Sequence, residues 1–334
     1  MSIDNEQFSR LVEPYRRELM AYCYRMLGSV HDAEDAVQEA LLRAWRSFDG
    51  FEGRSSLRNW LYRIATNASL RAIEQSGRRP LPSGLADPSD DPTYTLAPAR
   101  TDIAWLEPVP DSLLGTVPAD PAAVVGLRES IRLAFVATLQ HLPPRPRAVL
   151  ILREVIGLPA AEVAELLDTS TAAINSMLQR ARAQLREVAP AEETMTEPTQ
   201  TDTRALVNRY AAAFQNADLA ELRRALLETV ALEMPPTPTW FSGRDAVAGF
   251  LGSWVLGTPG RLRMIPTRAN GQPAVAEYEI GADGIYHARA IHVLDVTNGK
   301  IARIVVFFDR KLFPLFGLPA ALARDTAPAR RAQP

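Results

Sequence analysis

At 334 residues the chain is long enough for two or three domains, each with its own core. A net charge of -2 provides no global basic field, so affinity for nucleic acid must come from local patches. A single cysteine, Cys23, excludes a disulfide framework and fits a reducing, cytoplasmic setting; neither a signal peptide nor a membrane-spanning run is expected.

Phe8, Leu11, Tyr15, Leu19, Tyr22 and Met26 recur at helical spacing, predicting a first helix over 6–26 that Gly28 ends. A second helix is predicted over 32–48, with Ala33, Ala36, Val37, Ala40, Leu41, Ala44 and Trp45 inward. Its first turns carry Asp32, Glu34, Asp35, Gln38 and Glu39 with no basic residue among them. The helix dipole favours acids there, and a basic protein partner would also fit them. After a loop over 49–56, a third helix over 57–74 brings Arg63, Asn67 and Arg71 to one face, with Trp60 near it and Arg54, Ser55 and Ser56 just before it. Arginines interleaved with aromatics suit single-stranded or melted nucleic acid, where bases stack and arginines hold phosphates.

The next stretch, 77–122, is rich in proline, and between Leu81 and Asp120 it holds seven acids against one base, Arg100. It is expected to be extended or disordered. The apolar knot Ile103-Ala104-Trp105-Leu106 is the exception, because an exposed tryptophan in a spacer is costly; it is expected to dock on a folded surface. A helix over 124–139 and another over 145–155 follow. Then Val163, Ala164, Leu166 and Leu167 mark one short helix, and Ile174, Leu178, Ala181 and Leu185 mark a second. Asp168, Thr169 and Ser170 between them can each cap a helix. This spacing is that of a helix-turn-helix, whose second helix enters the major groove. The outward set of that helix includes Thr171, Asn175, Ser176, Gln179, Arg180 and Arg182. Asn and Gln can pair with adenine edges, Arg with guanine or phosphate. An ordinary amphipathic hairpin has the same pattern, so this tract alone leaves both readings open.

A polar linker over 189–203 precedes helices predicted over 205–215, 219–227 and 244–255. Asn270-Gly271, Asp283-Gly284 and Asn298-Gly299 are turn signals between alternating runs over 261–268, 274–280, 285–296 and 301–308, which predict a meander of long strands. The fold expected for this part is an α+β layer or cone. Trp240, Phe241, Trp254, Tyr278, His292 and Phe307 are candidate liners of an internal pocket, with plain core packing as the alternative for each. His287, His292, Asp295 and Asp309 could serve acid–base chemistry, but their spacing selects no pair. No catalytic residue, metal or cofactor is expected. The apolar tract 312–316 is expected to pack back on a domain, and 319–334 reads as a flexible tail.

The tract DAEDAVQEALLRAWRSFDGFEGRSSLRNWLYRIATNASLR resembles the second conserved domain of extracytoplasmic-function sigma factors, and residues 142–186 resemble their fourth. The order and spacing agree. WFSGRDAV and the NGQPA tract resemble a SnoaL-like (polyketide-cyclase-like) cone, and DIAWLEPVPD resembles a linker motif of sigma factors with an extra C-terminal domain. The resemblance implies a multidomain chain: sigma domain 2 over 1–76, an acidic Pro-rich linker over 77–122, sigma domain 4 over 123–188, a linker over 189–203, a SnoaL-like regulatory domain over 204–318 and the tail. It implies that Asp32, Glu34, Asp35, Gln38 and Glu39 meet the clamp helices of core RNA polymerase, with the flap as a further contact. Likewise it implies that the 51–56 loop with Arg54, Ser55 and Ser56 accepts a flipped minus-ten base, and that Trp60, Arg63, Asn67 and Arg71 line the adjacent strand. The linker would thread the basic channel through which RNA leaves. Thr171, Asn175, Ser176, Gln179 and Arg180 would read the minus-thirty-five element, with Arg182 on a phosphate. Asn175 and Met177 stand where basic residues are usual, which implies weak DNA binding without polymerase.

The expected function is therefore a non-enzymatic sigma factor modulated by its own C-terminal domain, without a separate anti-sigma factor. Trp105, Asn270, Gly271 and Pro273 are the expected regulatory contacts, and Trp240, Trp254, Tyr278 and His292 would line a pocket for a small-molecule ligand. Two alternatives remain: a one-component ligand-sensing transcription regulator, and a SnoaL-like enzyme with a DNA-binding arm.

Overall fold

The computed structural model describes residues 4–53, 55–89, 91–93, 96–114, 130–188 and 200–323. They fall into two compact units, Met1–Pro80 with Ile103–Glu192 and Leu81–Asp102 with Glu193–Pro334. The linker expected over 77–122 is thus divided: Leu81–Asp102 belongs to the second unit, and the residues before it and from Ile103 belong to the first.

The first unit is helical. Helix α1 (Asn5–Leu27) starts on Asp4, whose side chain accepts from Gln7 N, and ends at Gly28, which takes φ 69°. A Cβ at Gly28 would also come within 2.8 Å of Leu106 Cδ1, so both the left-handed backbone and the close packing call for glycine. Helix α2 (Val30–Ser47) is capped by Ser29, and α3 (Leu57–Ser76) by Ser56. Leu19, Tyr22, Met26, Val30, Ala33, Ala40, Leu61 and Tyr62 form the centre of this three-helix core. Leu11, expected inward, is 40% exposed. Helix α4 (Leu133–Leu139) is shorter than the helix expected over 124–139: residues 130–132 form a turn before it, and residues 115–129 lie outside the described residues. Helix α5 (Pro144–Leu150) closes on a wider turn, Ile151–Val155, and α6 (Ala160–Leu166) and α7 (Thr171–Val188) complete the unit.

The second unit layers helices on a curved sheet. Helix α8 (Gln200–Gln215) and α9 (Leu219–Ala225) lead into β1 (Leu226–Glu233) and β2 (Trp240–Ser242). Helix α10 (Arg244–Phe250), with a wider turn Leu251–Val255, precedes β3 (Leu262–Ala269), β4 (Gln272–Ile280), β5 (Tyr286–Thr297) and β6 (Lys300–Phe307). The sheet runs β2-β1-β6-β5-β4-β3, antiparallel except for the β1–β6 pair. Strands β1 and β2 correct the sequence reading: the helix expected to reach Leu227 stops at Ala225, and the leucine-rich run after it pairs in parallel with β6. Register shifts in β1, β4 and β5 bend the sheet. Tight turns at Asn270-Gly271 and Asn298-Gly299 hold both central residues at positive φ. On the helical face Tyr210, Phe214, Leu222, Phe241, Val247, Phe250, Val275, Leu294 and Ile304 make the core. On the other face a short helix, α11 (Leu312–Leu315), sets Phe313 edge-on to Tyr278 at 5.2 Å. Ala321–Leu322, expected as tail, form a short strand β7 beside β5; residues 324–334 lie outside the described residues.

Candidate nucleic-acid and polymerase interface

Helix α2 buries its alanine and valine stripe and turns its polar face outward. Asp35 and Gln38 are exposed, while Glu34 and Glu39 are half-buried. Two of the predicted acids are already partnered. Asp32 takes Nη2 of Arg79, whose Nη1 donates to Trp105 O at 3.0 Å, and Glu39 pairs with Arg43 and, at 3.5 Å, with Arg71. Leu42, seven residues beyond Asp35 on the same face, is 50% exposed. Sequence reading passed over Leu42 because its neighbour Leu41 filled the inward register; an apolar residue on a charged stripe is the signal that would have found it.

The loop after α2 rests on aromatic rings. Phe51 lies 4.9 Å from Trp60 and 6.0 Å from Phe48, and Phe8 touches both Trp45 and Phe48 at 5.3 Å. Trp60, expected to line the strand, is 8% exposed and supports the loop through Phe48 and Phe51. Arg63 and Asn67 are exposed one turn apart on α3, and Arg71 continues their line. Arg54 lies outside the described residues. Arg58 holds Glu18 through Nε and Nη2 and covers the Tyr62 ring at 5.2 Å. Cys23 is wholly buried, and burial pushes its thiol up to about 12, so it stays protonated and inert.

In the helix-turn-helix, Asp168 adopts φ 51° and Ser170 Oγ accepts from Ala173 N, which starts α7. Ile174, Leu178 and Ala181 are buried against the unit, leaving Thr171, Asn175, Ser176, Gln179 and Arg180 exposed on the far side. Arg182, expected on a phosphate, is held by Glu154 at 2.5 Å. An open cleft of about 500 Å³ separates the start of α3 from α6, lined by Ser55, Ser56, Asn59, Pro159, Glu162 and Glu165 among others. Across it the Asn59 amide donates to Glu162 at 2.6 Å.

The second unit holds the expected pocket residues in other roles. His292 is 2% exposed, donates from Nε2 to Glu277 at 2.9 Å and sets Nδ1 2.8 Å from the Tyr210 hydroxyl. Tyr210, Phe214 and His292 pack ring on ring, 4.8 to 6.0 Å apart. Glu277 also takes Arg289. Burial alone would raise the Glu277 carboxyl, but the His292 hydrogen bond and the charges of His292 and Arg289 outweigh it and hold it low. Tyr278 is fully buried on the other face, Trp254 is 56% exposed, and Trp240 donates its indole N–H to Ala86 O. These four do not gather around one space. Asn270 is buried in its turn, Gly271 and Pro273 are half-buried, and Trp105, of the first unit, is 9% exposed beside Arg79. Among the described residues no three metal-ligating side chains come together, and no helix is long and apolar enough to cross a membrane.

Residues 11–79 match the family described as Sigma-70 region 2, residues 132–185 match Sigma-70, region 4, and residues 207–304 match the SnoaL-like domain. The chain is 50% identical over 317 residues to ECF RNA polymerase sigma factor SigG of Mycobacterium tuberculosis (strain ATCC 25618 / H37Rv), covering 94% of this chain and 85% of that one. The chain belongs to the ECF RNA polymerase sigma factors. This sigma factor is also 30% identical over 184 residues to SigW of Bacillus subtilis (strain 168), covering 55% of this chain and 89% of that one. The crystal structure of Mycobacterium tuberculosis extracytoplasmic function sigma factor SigJ matches it with a TM-score of 0.57 at 26% identity, covering 93% of this chain and 99% of that one.

Within the helical unit of the sigma factor, regions 2 and 4 are tied by buried arginines. Arg25 of α1 donates to Ser130 O and Oγ. Arg147 of α5, 2% exposed, donates to Met26 O, to Gln140 Oε1 at 2.8 Å, to Leu142 O at 2.9 Å and to Gln140 O at 3.2 Å. Burial lowers both guanidinium groups to about 10, which leaves them charged at neutral pH. The linker is itself fixed to region 2: Glu107 accepts from Ser29 Oγ at 2.7 Å and from His31 Nδ1 at 3.0 Å, and Tyr24 donates to Glu107 O.

Proposed function

We propose that this sigma factor reads two promoter elements through the two outward polar faces of its helical unit. Arg63 and Asn67, beside the loop carried by Phe48, Phe51 and Trp60, engage the melted minus-ten strand, with Ser55 and Ser56 at the mouth of the base pocket. Thr171, Asn175, Ser176, Gln179 and Arg180 read the minus-thirty-five duplex. Asp35, Gln38 and Leu42, with Glu34 at their margin, face the clamp helices of core polymerase. Asp32, Glu39 and Arg182 hold these faces in shape through Arg79, Arg71 and Glu154. The observation that carries this reading is the pairing, in one chain matching regions 2 and 4, of an aromatic-backed loop with an exposed Arg63–Asn67 face and a helix-turn-helix with a polar outer face.

The SnoaL-like domain acts as a regulatory module inside the chain and not as an enzyme, and it stands in place of a separate anti-sigma factor. Of the acid–base candidates, His292 is sealed: Tyr210, His292 and Glu277 are each at most 2% exposed, and His292 hydrogen-bonds both of the others. To test the reading, the chain is mixed with core polymerase, the complex is isolated by gel filtration, and promoter melting is followed by permanganate reactivity. Comigration with core and reactivity confined to the minus-ten region is the expected result. Duplex binding without comigration would support the one-component regulator instead.

A further inference from the structure

Asn59, Arg63, Asn67 and Arg71 stand four residues apart on α3, so their side chains form one ridge along the helix. Arg63 and Asn67 are its exposed middle. Asn59 is its end nearest the loop: Ser56 caps α3 by accepting from Asn59 N at 3.1 Å, and Ser55, Ser56 and Asn59 line the same cleft. The ridge that carries Arg63 and Asn67 therefore terminates beside Ser55 and Ser56, and its last polar side chain is Asn59.

In the chain alone that side chain is occupied. Its Nδ2 donates to Oε2 of Glu162, 103 residues on in α6, at 2.6 Å, a charge-assisted hydrogen bond. Arg58 lines the same cleft but turns its guanidinium to Glu18, through Nε at 3.0 Å and Nη2 at 3.2 Å. Glu165, one turn further along α6, is exposed on the same side as Glu162, and among the described residues no ion pair includes either acid. Two carboxylates without a cation thus face the wall made by Ser55, Ser56 and Asn59. A carboxylate oxygen and a phosphodiester oxygen are both anionic acceptors, so an amide placed to hold one can hold the other. A strand lying along Arg63 and Asn67 brings its phosphates to Asn59 at the end of the ridge. The two occupants compete although the amide has two protons. A phosphate at Asn59 would sit beside Glu162, where both side chains are half-buried and like charges repel more strongly than in water.

We propose that Asn59 is a further contact of the melted minus-ten strand, that it holds a backbone phosphate through its side-chain amide, and that Glu162 of region 4 takes the same amide until the strand displaces it. Region 4 thereby screens one end of the strand-binding ridge of region 2. The assignment rests on the promoter-binding reading above.

Fluorescence anisotropy of a labelled non-template strand, taken from a promoter that the holoenzyme opens, tests both parts, with core binding checked by gel filtration in the same samples. With holoenzyme, Asn59→Ala should weaken strand binding about 10-fold, and Glu162→Gln should leave it within about twofold. With the full chain alone, Glu162→Gln should tighten strand binding about 10-fold. A methylphosphonate placed at each phosphate in turn should reveal one position that weakens binding of the wild type about 10-fold and leaves that of N59A unchanged. Unaltered strand binding by N59A holoenzyme would overturn the contact. A loss in N59A that no methylphosphonate position reproduces would assign Asn59 to a base and overturn the phosphate. Unaltered binding by the E162Q chain alone would overturn the screening. A wild-type chain that fails to join core would overturn the reading beneath and the contact with it, a failure visible in the gel filtration before any variant is compared.

Discussion

Arg147→Met removes the buried guanidinium that ties region 4 to region 2. The aliphatic stem is replaced by one of similar length, so packing loss is small. What is lost is polar: Met26 O, Gln140 Oε1, Gln140 O and Leu142 O each lose a donor in a site where Arg147 is 2% exposed. Hydrogen bonds from a charged donor contribute about 1.5–3 kcal/mol each, and a buried acceptor left without a donor costs about 1–3 kcal/mol. Four acceptors lose a donor together, and relief of the guanidinium's desolvation offsets part of that sum, which leaves a net of about 3 kcal/mol. At about 1.4 kcal/mol per decade, opening of the α1–α5 contact becomes roughly 100-fold more frequent. Amide exchange of Gly28, Gln140 and Leu142, whose N–H groups are bonded beside the joint, reads that opening directly. Arg147→Lys should recover less than half of the protection, because an ammonium cannot span four acceptors in the guanidinium geometry. Exchange within about twofold of the wild type in R147M would refute the assignment of the joint to this side chain.

Three further outcomes follow from the same geometry. Arg63→Ala or Asn67→Ala should lower minus-ten opening by about 10-fold or more while leaving core binding nearly unchanged, since each removes a contact of about 1–3 kcal/mol to the strand; equal loss in both assays would contradict their placement. Gln179→Ala should reduce discrimination among minus-thirty-five sequences by about 10- to 100-fold, seen in competition binding of holoenzyme, and a uniform loss across sequences would mean a phosphate contact instead. Glu277 is held below the unfolded carboxylate value near 4.3, so its contribution to the cone is complete above that pH and disappears as pH falls through the folded value. Acid unfolding followed by near-ultraviolet dichroism should lose its steep low-pH limb in Glu277→Gln, and a limb of unchanged slope would show that Glu277 does not govern it.

Much of the helical unit was legible from spacing, because caps and apolar stripes act locally. Ser56, Ser170 and Gly28 mark helix ends by chemistry that a sequence displays directly. What could not be read depends on partners distant in the chain. Leu226–Glu233 has the composition of a helix and becomes a strand only because β6 pairs with it. The packing of Trp60 against Phe48 and Phe51 depends on how the loop after α2 folds back, which helical spacing does not display. Asp32, Glu39 and Arg182 carry charges that sequence alone leaves outward, and Arg79, Arg71 and Glu154 take them up. The acidic segment after Pro80 gave no strand signal at all, since its few bonds at the β2 edge need no alternating pattern.

The most direct measurement is run-off transcription from a pool of genomic promoters with core polymerase, comparing the full chain with a chain ending at Val188. Core-dependent initiation at a common set of promoters, with output changed by removal of the C-terminal domain, is the result this account predicts. No initiation from any template by either chain, alongside duplex binding without core, would contradict it.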